Sequence, residues 1–304
     1  MLVRTAIVTM LFCTLAVAQQ RQPNYPPNMP EARVETYKSV DGVDLNVWIF
    51  EPDGHQASDN RPAIVFFFGG GFRGGSPGQF RNQAKHLASR GMVAISADYR
   101  VLSRHGVKPD KCFEDAKAAV RWIRVNAGRL GIDPDRIAAG GGSAGGYLAV
   151  ATATLPGHDN PAGDTTISSQ PNALALFNPG TVRAPVAGKL EISEERIAQL
   201  RARFGPDLIS MSPYHQLKAD LPPSIIFHGK ADTTIPYITV EIFAEKANAL
   251  GARCELVGYD GEVHGFFNHG RGDGSAYTDT VRRMDDFFVS LGWLSKNPDL
   301  RSRE

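Results

Sequence analysis

One glycine-rich segment is the starting point for this sequence: Arg136-Ile-Ala-Ala-Gly-Gly-Gly-Ser-Ala-Gly-Gly-Tyr147. It contains Gly141-x-Ser143-x-Gly145 and lies between a predicted strand and a predicted helix. Small residues on both sides of a serine are typical of a sharp strand-to-helix turn, in which larger side chains would collide with their neighbours. Such a turn lifts the serine hydroxyl above the sheet and directs the helix N-terminus at negative charge that develops there. The segment therefore predicts that Ser143 is a nucleophile.

Two other glycine-rich motifs fit this segment poorly. A phosphate-binding loop ends in Lys followed by Ser or Thr, and the segment contains no lysine. A dinucleotide-binding turn has the pattern G-x-G-x-x-G at the end of the first strand of its domain, and no such pattern ends a first strand here.

Apolar runs of strand length alternate with helical segments from residue 62 onwards. The runs are continuous, as expected for strands buried on both faces of a parallel sheet. Before them, Asp41-Gly42 is a strong hairpin signal between two β-rich runs. The sequence predicts an α/β fold with an eight-stranded, mostly parallel sheet, in which only the first hairpin is antiparallel and helices cover both faces. Predicted strands are 34–40, 43–50, 63–68, 92–97, 136–139, 173–177, 224–227 and 254–259, and predicted helices are 111–130, 143–154, 191–203, 237–250 and 276–291.

The sequence predicts one catalytic domain over residues 34–304, preceded by an extended Pro-rich lead at 19–33. Within the domain, residues 156–216 break the alternation because they contain one convincing strand and one amphipathic helix. In open α/β sheets, insertions of this kind lie over the carboxyl ends of the strands, where ligands bind. We expect a small lid-like insertion there.

Residues 1–18 have the pattern of a secretory signal peptide, with Arg4, an apolar run and a final Ala-Val-Ala. The run is too short to span a bilayer; the alternatives are an uncleaved anchor or a buried helix. We expect a secreted or periplasmic protein with a mature start near Gln19. Cys13 would leave with the signal, so Cys112 and Cys254 remain, either as a disulfide or as two buried thiols.

Charge excludes several classes of partner. The 304 residues carry 33 Lys and Arg against 32 Asp and Glu, a net charge of +1 without long runs of one sign. This distribution provides no footprint for nucleic acid or for an anionic membrane surface, and no second apolar stretch is long enough to span a membrane. No C-x-x-C or clustered His and Cys spacing indicates a metal. Nothing in the sequence indicates an oligomeric state.

A serine nucleophile needs a base and a carboxylate that orients this base, each in a loop after a later strand. Asp232 follows the strand at 224–227, and His264 follows the strand at 254–259. Both therefore lie where such a site requires them. Asp260 and Glu262 are the rival acids, and His228 and His269 are the rival bases.

A second glycine-rich loop, Gly69-Gly-Gly-Phe-Arg-Gly-Gly75, directly follows the strand at 63–68. Backbone N–H groups approach a substrate oxygen closely only where no Cβ intervenes. The amides of Gly70 and Gly71, together with that of Ala144, are the predicted donors of an oxyanion hole.

These motifs carry a family resemblance over roughly residues 34–293. Phe68-Gly-Gly-Gly71, Ala97-Asp-Tyr-Arg100, Gly141-Gly-Ser-Ala-Gly-Gly146, Asp232-Thr-Thr-Ile-Pro236 and His264-Gly-Phe resemble the α/β-hydrolase fold, specifically its hormone-sensitive-lipase-like esterase branch. Within that branch the sequence is most similar to secreted bacterial esterases that act on acetylated or feruloylated plant polysaccharides. One position departs from the branch, which usually has His where this chain has Phe68. Phe68 makes no polar contact of that kind, so we expect a different support for the glycine loop.

The resemblance and the site residues together predict a serine carboxylic-ester hydrolase that needs no cofactor and acts on a small-molecule or polysaccharide ester. Ser143 would attack, His264 would accept its proton, and Asp232 would hold the histidine tautomer. Two alternatives are a serine peptidase of the same fold and a noncatalytic binding protein that keeps the fold.

Overall fold

The computed structural model describes residues 25–160 and 162–296. The predicted signal peptide therefore lies outside the described residues, as does the first part of the Pro-rich lead. The described part of that lead, residues 25–33, contains no helix or strand before its last residue, Arg33, with which β1 begins.

Eight strands form one sheet in the order β1-β2-β4-β3-β5-β6-β7-β8. The predicted α/β fold with a mostly parallel sheet is confirmed. One detail was wrong: antiparallel pairing is not confined to the first hairpin, because β2 is antiparallel to β4 as well as to β1. The hairpin attaches to the sheet through the free edge of its second strand, so only β2 runs against the others. The strands are Arg33–Val40 (β1), Val43–Phe50 (β2), Arg61–Phe67 (β3), Val93–Ala97 (β4), Ile132–Gly142 (β5), Ala173–Phe177 (β6), Ser224–Gly229 (β7) and Cys254–Tyr259 (β8).

Helices connect the parallel strands. They are Arg81–Ser89 (α1), Leu102–His105 (α2), Pro109–Val125 (α3), Ala144–Thr154 (α4), Glu194–Phe204 (α5), Pro213–Gln216 (α6), Ile238–Ala249 (α7) and Ser275–Ser290 (α8), with a short 3₁₀ turn at Pro77–Phe80. The prediction missed α1 because its buried residues include Gln83, which interrupts the apolar stripe. It also extended α3 to residue 130, whereas the helix ends at Val125 and a turn leads through Gly131, which has a positive φ of 61°.

The continuous apolar runs correspond to strands that separate two cores. Along β3, the side chains of Ala63, Val65 and Phe67 belong to one buried cluster, and those of Ile64 and Phe66 belong to the other. Because side chains alternate between the faces of a strand, a strand between two cores must be apolar at every position. This is the physical reason that the sequence pattern identified these strands.

Cys112, in α3, and Cys254, at the start of β8, are both buried and free. Of the two alternatives that the sequence left open, the pair of buried thiols is therefore the correct one. Across residues 25–160 and 162–296, no helix is both long and apolar enough to cross a membrane.

Candidate active site

Ser143 occupies the turn between β5 and α4 with φ 55° and ψ −114°. This is a backbone conformation that a non-glycine residue adopts only under strain. The neighbouring glycines are sterically required, since a Cβ on Gly141 or on Gly145 would overlap the carbonyl oxygen of Phe67. The tight packing of this turn against the end of β3 explains why small residues flank the serine.

His264 lies between Ser143 and Asp232 within hydrogen-bonding distance of both. Its Nε2 is 2.8 Å from Ser143 Oγ, and its Nδ1 is 2.7 Å from Asp232 Oδ2. An ionised carboxylate only accepts hydrogen bonds, so Nδ1 carries the proton and the lone pair of Nε2 faces the serine hydroxyl. The three predicted residues, which follow β5, β7 and β8, thus converge at the carboxyl edge of the sheet.

The rival residues lie elsewhere or make other contacts. Asp260 is exposed and pairs with Lys230 at 2.9 Å. His269 is exposed and packs edge-to-face against Tyr277. Neither contacts His264 or Ser143 in the described part of the chain.

His228 is a neighbour of the acid whose contribution the sequence did not reveal. Its ring is fully buried, its Nε2 donates to the carbonyl of Ile235 at 2.8 Å, and the same nitrogen is 3.4 Å from Asp232 Oδ2. The other oxygen of Asp232 accepts the amides of Thr234 and Ile235 at 2.8 and 2.9 Å. The sequence offered His228 only as a rival base and gave no sign that it lies against the acid.

These contacts control the charge of Asp232. Burial by itself opposes ionisation, but hydrogen bonds from His228, His264 and the Ile235 amide outweigh it and hold the pKa of the carboxyl well below its usual range. Asp232 is therefore ionised at neutral pH, which is the state needed to accept a hydrogen bond from the imidazole.

Two of the three predicted oxyanion-hole residues, Gly71 and Ala144, line the same cavity as Ser143, whereas Gly70 lines a cavity on the other side of the glycine loop. Gly70 and Gly71 have positive φ angles of 125° and 61°, which glycine adopts without strain. Their N–H groups donate to no acceptor among the described residues, whereas the carbonyl of Gly70 accepts the amides of Arg73 and Gly74. Ala144 is the first residue of α4, so its amide belongs to the helix N-terminus. The loop thus keeps two unpaired donors close to the serine turn.

Phe68 supports the glycine loop by stacking. Its ring lies on that of Tyr99 with centroids 4.1 Å apart, and the Tyr99 hydroxyl donates to the Phe68 carbonyl at 2.7 Å. Polar support comes from Gln79, whose Oε1 accepts the Gly69 amide at 2.6 Å. Gln79 Nε2 in turn donates to Oδ1 of Asn268 at 2.9 Å. The sequence contained no signal for Gln79, because an isolated glutamine in a short 3₁₀ turn has no pattern.

A cavity of about 360 Å³ opens beside Ser143 and Ala144. One wall is the glycine loop at Gly71 and Phe72, and the opposite wall comes from residues 182–204 within the irregular segment at 156–216. A second cavity, of about 520 Å³, borders the other side of the glycine loop at Gly69 and Gly70. In the described ranges, no group of three or more His, Cys, Asp or Glu side chains is placed to hold a metal ion.

Comparison with known proteins places this geometry in a family. A family model described as the alpha/beta hydrolase fold matches residues 64–268. Carboxylesterase NlhH of Mycobacterium tuberculosis is 35% identical over 145 residues, which are 46% of this chain and 44% of the relative. The chain spans about half the length of the curated relatives that it matches.

Solved structures of an esterase from Thermogutta terrifontis are similar over most of the chain. The form phosphonylated by sarin has a TM-score of 0.87 at 50% identity, covering 90% of this chain and 100% of that one. The butyrate-bound form has a TM-score of 0.86 at 50% identity, covering 90% and 99%. The chain belongs to the α/β-hydrolase fold family, in its hormone-sensitive-lipase-like esterase branch, as its motifs predicted.

Proposed function

We propose that this protein is a serine carboxylic-ester hydrolase. The observation that carries the proposal is the pair of hydrogen bonds made by His264, which lies 2.8 Å from Ser143 Oγ through Nε2 and 2.7 Å from Asp232 Oδ2 through Nδ1. The unpaired amides of Gly70 and Gly71 belong to the glycine loop next to this serine turn. The carboxylesterase and esterase relatives support the proposal. So does the sarin-phosphonylated structure, because organophosphorus agents of this type react with activated serine hydroxyls.

Acylation follows from the hydrogen-bond directions. Ser143 Oγ attacks the ester carbonyl carbon while its proton moves to His264 Nε2, and Asp232 stabilises the resulting imidazolium without accepting the proton. The C=O electron pair shifts to oxygen, which the amides of Gly70, Gly71 and Ala144 stabilise. When the C–O bond to the alcohol breaks, Nε2–H protonates the leaving oxygen, and the acyl group stays on Ser143.

Deacylation repeats these transfers with water. His264 Nε2 accepts a proton from water as its oxygen attacks the acyl carbon, and the same amides stabilise the second oxyanion. Collapse returns the proton to Ser143 Oγ and releases the carboxylic acid. The net reaction is ester plus water to acid plus alcohol, and no other co-reactant is consumed.

We propose short-chain acyl esters as the substrates. The cavity beside Ser143, at about 360 Å³, is of a size for a small acyl group, and butyrate occupies a solved relative. Acetyl or feruloyl groups on plant polysaccharides are the finer proposal, which rests on the resemblance of the loop Gly69–Gly75 and on the predicted export. Residues 1–18 would direct export and be removed in the process, leaving a secreted or periplasmic enzyme whose catalytic domain is 34–304.

The test is Ser143→Ala, with Ser89→Ala as the matched control because Ser89 is exposed on α1 and its hydroxyl donates to the His86 carbonyl of the same helix. We expect Ser143→Ala to abolish turnover of p-nitrophenyl acetate and butyrate and labelling by a fluorophosphonate, while the control retains both. Full turnover in Ser143→Ala would refute the proposal.

Activity on an aminoacyl anilide but not on esters would favour the peptidase. A folded wild-type protein that forms no adduct at Ser143 would favour the binding protein. Comparison of p-nitrophenyl octanoate, acetylated xylan and methyl ferulate would define the substrate.

A further inference from the structure

Three arginines line the cavity that contains Ser143. They are Arg183, which precedes the helix α5, and Arg196 and Arg203, which lie on it. We call these three residues the arginine cluster. All three belong to the irregular segment 156–216, so the wall that faces the nucleophile is positively charged, although the whole chain carries a net charge of only +1.

No residue in the described ranges forms an ion pair with the arginine cluster. Arg90, Arg100 and Arg121, by contrast, each lie within 2.8 Å of a carboxylate oxygen. The only acidic residue that lines the described cavity is Glu191, which is exposed and makes no ion pair with a described residue. The cavity is therefore lined by three positive charges and one negative charge, and none of the three arginines forms an ion pair within the described part of the chain.

Burial acts against the charges of Arg183 and Arg203, the two partly buried members of the cluster. The Arg183 guanidinium stacks 4.2 Å above the Tyr147 ring and donates from Nη1 to the Val182 carbonyl at 3.0 Å, but its buried Nε has no hydrogen-bond partner among the described residues. Burial, together with repulsion from Arg183, Arg73 and Arg196, lowers the pKa of Arg203 to about 10. Partly buried charges without an ion-pair partner cost stability, and that cost falls when an anion binds beside them.

Arg203 connects the cluster to the oxyanion-hole loop. Its Nη2 donates to the carbonyl of Gly71, whose amide is one of the unpaired donors. A guanidinium engaged in this way still has N–H groups available, because it carries five donors in a rigid fork that matches a carboxylate. A carboxylate held by the cluster would therefore lie in the same cavity as the reacting carbonyl.

We propose that the preferred substrate is an ester that carries a carboxylate group, and that the arginine cluster binds this carboxylate in the cavity beside Ser143. The proposal rests on the ester hydrolase function proposed above and specifies its substrate class. An ester without a charged group would provide no counter-charge for the arginine cluster.

The test uses two pairs of esters that differ in one charge. Mono-4-nitrophenyl adipate is compared with 4-nitrophenyl hexanoate, which places the carboxylate on the acyl side. Then 4-acetoxybenzoate is compared with its methyl ester, which places it on the alcohol side. We expect the wild-type protein, at low ionic strength, to show a higher kcat/KM for the anionic member of at least one pair, and we expect added salt to reduce this preference.

Arg196→Gln is the informative variant, because Arg196 is exposed and the one side-chain hydrogen bond that it makes among the described residues is to Gln199. It should lower the anionic-to-neutral ratio of kcat/KM by about tenfold, the effect of one charge-assisted hydrogen bond. Arg201→Gln is the matched control: it removes the same charge from the same helix, but Arg201 is exposed and does not line the cavity. It should leave the ratio unchanged.

Preference of the wild type for the neutral member of both pairs would overturn the proposal. Equal reductions of the ratio in Arg196→Gln and Arg201→Gln would also overturn it, because they would show a long-range charge effect and not binding in the cavity. Absence of turnover for all four esters would refute the ester hydrolase function and the substrate class together. Turnover of all four esters without a charge preference would refute the substrate class alone.

Discussion

Replacement of Gln79 by methionine should lower kcat about tenfold while KM changes little. Gln79 accepts the Gly69 amide at 2.6 Å and donates to Asn268 at 2.9 Å. Asn268 Nδ2 donates to the carbonyl of Gly265, the residue after the catalytic histidine candidate His264. Gln79 therefore connects the glycine loop to the histidine loop. Methionine has a similar length and removes both hydrogen bonds without creating a large cavity.

The magnitude follows from the hydrogen bond that the Gly69 amide would no longer make. A half-buried amide left without its acceptor costs about 1–3 kcal/mol. If about 1.4 kcal/mol of this cost appears as poorer placement of the Gly70 and Gly71 donors, the rate falls tenfold. These donors act on charge that exists only in the tetrahedral intermediate and its transition states, so the loss belongs in kcat and not in KM.

The assay is steady-state hydrolysis of p-nitrophenyl butyrate, with thermal unfolding measured in parallel. Gln79→Glu keeps an oxygen for the Gly69 amide but cannot donate to Asn268, so it should retain more activity than Gln79→Met. Gln56→Met is the matched control, because Gln56 is exposed in the loop before β3, at the opposite end of the strand from the glycine loop.

A folded Gln79→Met protein with kcat within twofold of wild type would refute this reasoning, since the loop would then hold its position without the hydrogen bond. A rise in KM at constant kcat would also contradict it, because Gln79 would then contribute to ground-state binding.

Two further predictions concern the serine turn and the acid. Gly145→Ala should destabilise the protein by about 1–3 kcal/mol in denaturant unfolding, because the new Cβ overlaps the backbone of Phe67. Gly128→Ala is the control: its Cβ meets nothing within 4 Å, so stability should change by less than about 0.5 kcal/mol. Equal effects of the two would be inconsistent with a steric role for Gly145. The depressed pKa of Asp232 means that its ionised form stabilises the fold above the unfolded-state pKa of about 3.9, and that this contribution is lost as pH falls towards the folded-state value. As pH falls below about 4, the free energy of unfolding should therefore decrease more steeply in wild type than in Asp232→Asn. The same variant should lose about 10⁴ in kcat. Parallel curves of stability against pH would contradict the assignment.

Features that depend on local pattern and chain order could be predicted from the sequence. Continuous apolar runs identified the buried strands, because both faces of β3 meet a core. The spacing around Ser143 predicted the turn, since a Cβ at either flanking glycine would overlap Phe67. Asp232 and His264 followed from the rule that such residues lie after later strands, which is a statement about chain order and needs no distances.

Contacts between residues far apart in the chain could not be predicted in this way and became visible in the folded protein. Gln79 and Asn268 are separated by 189 positions, and neither has a periodic or motif signal. The burial of His228 against Asp232, the stacking of Phe68 on Tyr99 and the grouping of three arginines at one cavity likewise appear only once loops from different strands meet at one edge of the sheet. A sequence pattern records what each segment requires locally. Which side chains share a cavity, and whether their charges are compensated there, depends on how the segments pack together.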